Sequence, residues 1–193
     1  MGIIGVIVGA VKRCMPTENE RKFVLKNDRD LEVRLAQAPG VTRSLIVQAY
    51  LDSPGVRIRA IESEGEVSRV FTFKRPVDDQ VVEIETEIEP ADFSRLWKLR
   101  RETLQKVRYS WPDGRFHWDV DFFKTHEGNT YFSLAEVVMP EYEKYPPPVP
   151  PALKPFVLAL APYGDPRFTS KRLADATFAS NLLTEIGEQA LLT

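Results

Sequence analysis

The sequence is poor in the residues that build the commonest metal and redox sites. Among 193 residues there is one cysteine, Cys14, and there are two histidines, His117 and His126. A single cysteine excludes an intrachain disulfide and a cysteine-rich zinc site. Two histidines at this separation do not make a histidine-based metal motif. A metal held here would be held by carboxylates, which favours Mg²⁺ or Mn²⁺ over zinc. No Gly-rich run ending in Gly-Lys-Ser/Thr occurs, so a Walker-type phosphate loop is excluded. The apolar stretch Ile3 to Val11 is far shorter than the roughly 20 residues of a membrane span. Its positive charges, Lys12 and Arg13, follow it, the reverse of a secretory signal. Nor is there an excess of one charge: 26 basic and 28 acidic side chains leave a net charge of −2. A general nucleic-acid surface is therefore not expected, and any anion site must come from local sorting of charge.

What is present is the composition of an ordinary globular chain, 43% hydrophobic and 28% charged. The length suits one domain with a real core, and a cytoplasmic location is expected. Residues 1–15 read as an N-terminal extension with no assigned role, and Met15 offers an alternative start. Residues 16–175 read as the domain proper, and 176–193 as a C-terminal helix packed on it.

The organising stretch is Glu18-Asn19-Glu20-Arg21-Lys22-Phe23-Val24-Leu25. As a strand it lines Glu18, Glu20 and Lys22 along one face and Asn19, Arg21 and Phe23 along the other. Two carboxylates and an ammonium in one row suit a divalent cation beside an anion, although a solvated strand face would read the same way. Downstream the period-two pattern recurs. Arg57/Arg59, Lys74, Glu83/Glu85/Glu87, Lys106/Arg108, Asp119/Asp121 and Glu136 align opposite Ile58, Phe71, Phe73, Val107, Val120 and Phe122. An open sheet with one wet face gives this pattern, and so does a closed barrel with a polar lumen and helices outside. Segregation of the signs into pure cation rows and pure acid rows favours the barrel, because a site that grips a polyanion and also presents carboxylates to metal needs it. Cross-strand ion pairing would profit from the same sorting.

Between the strands, a short helix is expected from Asp30 to Ala38, ended by Pro39-Gly40. Pro90-Ala91-Asp92 opens a longer one to about Gln105, whose Phe93, Leu96, Trp97, Leu99 and Leu104 read as core packing. Pro112-Asp113-Gly114 signals a hairpin. The Pro-rich run Tyr145 to Pro155 reads as a stiff surface connection, with a polyproline ligand as the alternative. Lys171 to Leu192 reads as the closing helix.

These residues resemble the CYTH, or triphosphate tunnel metalloenzyme, superfamily over roughly residues 16 to 175. Its Glu-x-Glu-x-Lys signature stands as Glu18-Asn19-Glu20-Arg21-Lys22. Ile46-Val47-Gln48-Ala49-Tyr50-Leu51, Arg57-Ile58-Arg59, Phe71-Thr72-Phe73-Lys74 and Glu83-Ile84-Glu85 follow in the family's order. So do Lys106-Val107-Arg108-Tyr109, Trp118-Asp119-Val120-Asp121, Ala135-Glu136-Val137 and Gly164-Asp165-Pro166-Arg167-Phe168. The resemblance implies an α+β fold: a closed eight-stranded antiparallel β-barrel, a tunnel with a polar lumen, flanked by α-helices. It implies a triphosphate-containing small molecule as partner and Mg²⁺ or Mn²⁺ as cofactor. By position, Glu18, Glu20, Asp121 and Glu136 would hold the metal, and Lys22, Arg57, Arg59, Lys106 and Arg108 would grip the phosphates. Tyr50 and Lys74, the catalytic candidates, fall where tripolyphosphatase-like members pair a tyrosine with a lysine near the reacting group, and a nearby ammonium would favour the phenolate.

Three departures stand out. Val138 takes the place of the second glutamate of the family's Ala-Glu-Val-Glu strand, so the metal set is one carboxylate short; Glu83, Glu87 or Asp119 would be the replacements. Val81 takes the place of an arginine, and Ala161-Pro162-Tyr163 precedes Gly164 where Glu-Val-Thr is usual. The expectation is metal-dependent hydrolysis of inorganic tripolyphosphate or a nucleoside triphosphate. Behind it stand a non-catalytic polyphosphate- or nucleotide-binding module, a cyclase-type member, and a scaffold whose charge rows serve folding alone.

Overall fold

The computed structural model describes residues 19–78 and 80–191. Residues 1–18, with Glu18 and the expected N-terminal extension, lie outside the described residues. The chain runs β1 (Asn19–Leu25), α1 (Arg29–Gln37), β2 (Thr42–Leu51), β3 (Val56–Ser63), β4 (Glu66–Val77), β5 (Gln80–Glu87) and α2 (Pro90–Trp97). It continues through β6 (Arg100–Asp113), β7 (Phe116–Lys124), β8 (Thr130–Met139), β9 (Val157–Leu160), α3 (Ser170–Leu173) and α4 (Ala176–Ala190).

The strands form one sheet in the order β5-β4-β3-β2-β6-β7-β8-β1-β9, with every neighbouring pair antiparallel. Fold class and flanking helices agree with the expectation; strand count and closure do not. The sheet has nine strands, and among the described residues no ladder joins β5 to β9. The reason is at β1. Its outer edge is taken by β9, a four-residue strand that returns from the Pro-rich segment and pairs Phe23 with Leu160 and Val24 with Ala159.

Alternation along each strand sorts side chains onto two faces. One is apolar. Phe23, Leu25, Val107, Tyr109, Trp118, Val120, Phe122, Ala135 and Val137 form a core covered by Leu31 and Leu35 of α1 and by Leu153 and Phe156. The Pro-rich run is thus part of the wall over this core, with Leu153 fully buried. Farther along, Ala49, Leu51 and Ile58 pack against Phe93, Leu96 and Trp97 of α2, as expected of that helix.

The opposite face carries the charge rows, but only over part of its length. At one end, Val24, Leu104, Phe123, Phe132 and Leu134 continue the same rows and pack against Leu173 of α3 and Ala179, Leu182 and Ile186 of α4. The C-terminal helices therefore seal one end of the charged face.

Two boundaries differ from expectation. The helix opened by Pro90 ends at Trp97, and residues expected to extend it to Gln105 begin β6 instead. Leu99 and Leu104 fit helical spacing by chance. Leu104, Lys106 and Arg108 alternate with Gln105, Val107 and Tyr109, and β6 supplies backbone partners to β2 on one side and β7 on the other. The closing helix is split at Ala174–Asp175, where Asp175 accepts from the Phe178 N–H and starts a new helix. One glycine is needed for close approach: a Cβ on Gly55, at φ 75°, would lie 2.2 Å from the Lys74 carbonyl oxygen.

If α4 seals the charged face by burying its apolar stripe, Leu182→Ala should cost about 2–5 kcal/mol. Leu191→Ala, at an exposed position, should stay within about 0.5 kcal/mol. Urea unfolding of the two variants checks both figures; equal losses would refute the packing.

Candidate functional site: a sheet face with two ion clusters

The charged face holds two clusters of different character on either side of β2. On the β1–β8–β7–β6 side, Arg108 is the hub. Its Nε donates to Asp121 Oδ1 at 2.7 Å and its Nη2 to Asp121 Oδ2 at 2.7 Å. Its Nη1 donates to Asp119 Oδ2 at 2.7 Å, and Nη2 also reaches Glu136 Oε2 at 3.3 Å. Lys106 Nζ meets Asp121 Oδ2 at 2.5 Å and lies 5.5 Å from the Phe123 ring centroid. Ser110 Oγ donates to Asp119 Oδ1 at 2.5 Å. At the edge of this group, Lys22 Nζ bridges Glu136 Oε1 at 2.8 Å and Glu20 Oε1 at 2.9 Å.

Register explains the assembly. Lys22 faces Glu136, Glu136 faces Asp119, and Asp121 faces Arg108 across three adjacent ladders. Asp119 comes into the group directly beside Glu136. Of the three residues considered as substitutes for the missing carboxylate, it is the one brought there. Glu83 instead faces Lys74 at the far side of the sheet. Val138 faces both Glu20 and His117 and is exposed, so the missing carboxylate leaves an apolar patch at the rim.

On the β3–β4–β5 side, Arg59 Nη2 approaches Glu85 Oε1 at 2.5 Å and Thr72 Oγ1 donates to the same oxygen at 2.8 Å. Arg57 Nη2 lies 3.5 Å from Glu85 and 3.7 Å from Glu83, and Lys74 Nζ lies 2.9 Å from Glu83. Three buried donors here find no acceptor among the described residues: Arg57 Nε, Arg59 Nε and Gln48 Nε2. Gln48 sits between the two clusters, paired in register with Arg59 on one side and Leu104 on the other. From the sequence it shares a strand face with Tyr50 but has no assigned role.

Electrostatics separate the halves. Burial lowers the pKa of Arg59, and the neighbouring positive charges of Arg57 and Arg108 add to that effect beyond what Glu85 returns. A guanidinium crowded by cations and holding a spare N–H is poised for an anion. Tyr50 does not behave as expected. Burial raises its pKa, outweighing Arg57 and Gln48, so at neutral pH it is a neutral phenol and not a phenolate. In the acid half, burial pushes Asp121 up, but Lys106 and Arg108 more than reverse this and hold its carboxyl down to about 2. Burial lowers the Lys106 ammonium despite Asp121. Lys22, desolvated but flanked by Glu136 and Glu20, ends above its ordinary value.

Of the sequence-assigned residues, Glu20, Lys22, Arg108, Asp121 and Glu136 gather in one cluster with Lys106, and Arg57, Arg59 and Lys74 in the other. Tyr50 stands beside Arg57, and Glu18 lies outside the described residues. Among the described residues no three carboxylates or other ligating groups already stand in metal-binding geometry. The donor chemistry nonetheless suits a hard cation, being all oxygen. Glu20 and Glu136, which share a single ammonium, are the carboxylates that fit best.

No protein-family model and no curated protein matches this sequence. Solved structures do. One structure of the protein NE1496 is 23% identical, aligns over 82% of this chain and 97% of its own, and has a TM-score of 0.51. A second, described as the inorganic triphosphatase NE1496, is 22% identical over 83% and 95% of the two chains, with a TM-score of 0.50. The PH1819 protein from Pyrococcus horikoshii OT3 gives 16% identity over 87% and 90%, with a TM-score of 0.46. At the level of fold, the chain is similar to NE1496.

Asp121 makes stability acid-sensitive. Its folded pKa lies below the unfolded value near 3.8, so its contribution is complete above that value and is lost as pH falls towards about 2. Unfolding free energy should therefore drop steeply between these limits, and the drop should be smaller in Asp121→Asn. An identical acid profile for the two proteins would refute the clamp on this carboxylate.

Proposed function

We propose that this chain binds the triphosphate of a small molecule on its charged face and hydrolyses a phosphoanhydride bond there with Mg²⁺ or Mn²⁺. The observation that carries the reading is the pair of guanidinium Nε groups of Arg57 and Arg59, buried beside Gln48 without an acceptor among the described residues, with Arg59 close to the positive charges of Arg57 and Arg108. Buried donors normally find acceptors, and phosphate oxygens match the guanidinium fork. The fold-level likeness to a protein described as an inorganic triphosphatase supports the same reading. We further propose that the sheet, with helices over its apolar face, curls round the ligand as a tunnel that α3 and α4 seal at one end.

In this reading Arg57, Arg59, Lys74, Lys22 and Arg108 hold and neutralise the phosphate oxygens. Phosphoryl transfer asks chiefly for this positioning and charge neutralisation. Glu20 and Glu136, with Glu18, would hold the divalent cation, which when bound polarises the phosphoryl oxygens and offsets their charge. Tyr50, protonated, would donate a hydrogen bond to a phosphate oxygen beside Arg57. Water attacks the terminal phosphorus, the anhydride P–O bond breaks, and orthophosphate is released with the shortened chain. The substrate, tripolyphosphate or a nucleoside triphosphate, is decided by what lies beyond the third phosphate.

The second reading, a binding module without turnover, is favoured by Val138. It stands exposed between Glu20 and His117, where a carboxylate would complete the oxygen set.

Phosphate release from tripolyphosphate and ATP, with Mg²⁺ or Mn²⁺ and with chelator, separates the two. Metal-dependent release that disappears in Glu20→Gln, with the circular dichroism spectrum unchanged, is expected. Arg59→Ala should raise KM about tenfold or more. A melting temperature raised by tripolyphosphate without consumption of it would establish the binding module instead.

A further inference from the structure

We infer that Asp121 and Lys106 are positioning residues that hold Arg108 in place for phosphate, and that Asp121 is not a ligand to the divalent cation. The inference deepens the triphosphate reading and rests on it for the identity of the anion. It reassigns two residues whose place in the chain suggested direct roles, Asp121 at a metal and Lys106 on phosphate.

Burial grades outward through the three side chains. Asp121 is 1% exposed, Lys106 5% and Arg108 22%. Lys106 is shut beneath Phe123, with the Asp121 carboxylate as its hydrogen-bonded partner. Its ammonium cannot meet a ligand on the open face without abandoning that carboxylate. Breaking one side of a buried ion pair leaves an uncompensated charge and is strongly destabilising.

The oxygens of Asp121 are equally committed. Oδ1 accepts from Arg108 Nε, and Oδ2 accepts from both Arg108 Nη2 and Lys106 Nζ. Two of these bonds form the parallel fork between guanidinium and carboxylate that fixes geometry best. A divalent cation at Oδ2 would have to displace the lysine or the arginine, and the acceptor site left on Oδ1 belongs to a carboxylate that is 1% exposed. Glu136 and Glu20 differ. They share one ammonium, Lys22, whose side chain is 21% exposed, and Glu20 itself is 28% exposed. Glu136 also accepts from Arg108 Nη2, at a longer 3.3 Å, so a cation taking the place of the Lys22 ammonium would leave the fork between Arg108 and Asp121 intact.

The fork also determines what Arg108 can offer. A guanidinium has five N–H donors. Four are used: one on Nε and one on Nη2 with Asp121, one on Nη1 with Asp119, and the second on Nη2 with Glu136. The remaining N–H belongs to Nη1, on the most exposed of the three side chains. Asp121 and Lys106 thus act through Arg108: they orient it and leave one donor for the ligand. Arg108 also lies close enough to Arg59 to lower its pKa, so an anion there would be shared between the two halves of the face.

Three readouts test this on the full chain. Mn²⁺ affinity is measured by electron paramagnetic resonance, tripolyphosphate affinity by calorimetry with chelator present, and the Arg108 Nε–H signal by NMR. Asp121→Asn should keep Mn²⁺ affinity within about twofold of the wild type while weakening tripolyphosphate about tenfold. Glu136→Gln should weaken Mn²⁺ by at least that factor. The Arg108 Nε–H, protected from solvent exchange in the wild type, should exchange freely in Asp121→Asn. If Asp121→Asn does not fold, Lys106→Met, which spares the fork, should keep Mn²⁺ affinity and weaken tripolyphosphate. Loss of Mn²⁺ in Asp121→Asn or Lys106→Met equal to that in Glu136→Gln, with the backbone spectrum retained, overturns the inference. So does unchanged tripolyphosphate affinity in both variants. A wild type that binds Mn²⁺ but not tripolyphosphate refutes the triphosphate reading instead, and the arginine signal then decides whether the clamp exists.

Discussion

An antiparallel strand cannot place one side chain without placing the next but one on the same side. Most of this molecule depends on that constraint. Because charged residues recur at alternate positions in strand after strand, they are driven onto one face of the sheet together. Because the positions between are Phe, Val, Ile, Leu and Trp, the other face becomes a core that needs α1 and α2 to cover it. A face carrying that much charge must then be balanced from within. The cross-strand registers do so, setting Lys22 against Glu136, Arg108 against Asp121 and Lys74 against Glu83.

The balance is uneven. Around Arg108 nearly every donor and acceptor is matched, and Asp121 is buried among cations that hold it ionised. Around Arg57 and Arg59 the matching is incomplete, and donors remain buried without acceptors among the described residues. A region that is fully satisfied is rigid, whereas one with spare donors is prepared for a ligand that supplies oxygens. Between them Gln48 on β2 belongs to neither cluster and has a donor to offer to both.

The limits of the face come from two unlike sources. At one end apolar residues of the same strand rows pack under α3 and α4, so the charged face stops where Leu104, Phe123 and Leu134 begin. Along the sheet, β9 occupies the edge of β1 and leaves β5 as the other edge. The likeness to NE1496 extends over four-fifths of the chain and establishes the fold; activity is a separate question that the side chains on the charged face must answer.

By itself the sequence determined the strand-by-strand sorting, because a period of two is written in neighbouring residues and needs no distant contact. The charged rows, the turn at Gly114 and the short helix after β1 were legible for that reason, as was the ordered set of motifs that points to the fold. The end of the helix at Trp97 was not, since Leu99 and Leu104 fit both periods and only the demand of β2 for a partner chooses between them. Tertiary structure alone decided which charges neutralise which. Asp119 beside Glu136, Lys106 sealed under Phe123 and Tyr50 kept neutral by burial all follow from register between strands and from desolvation. Both arise between residues far apart in the chain, so local pattern could not contain them.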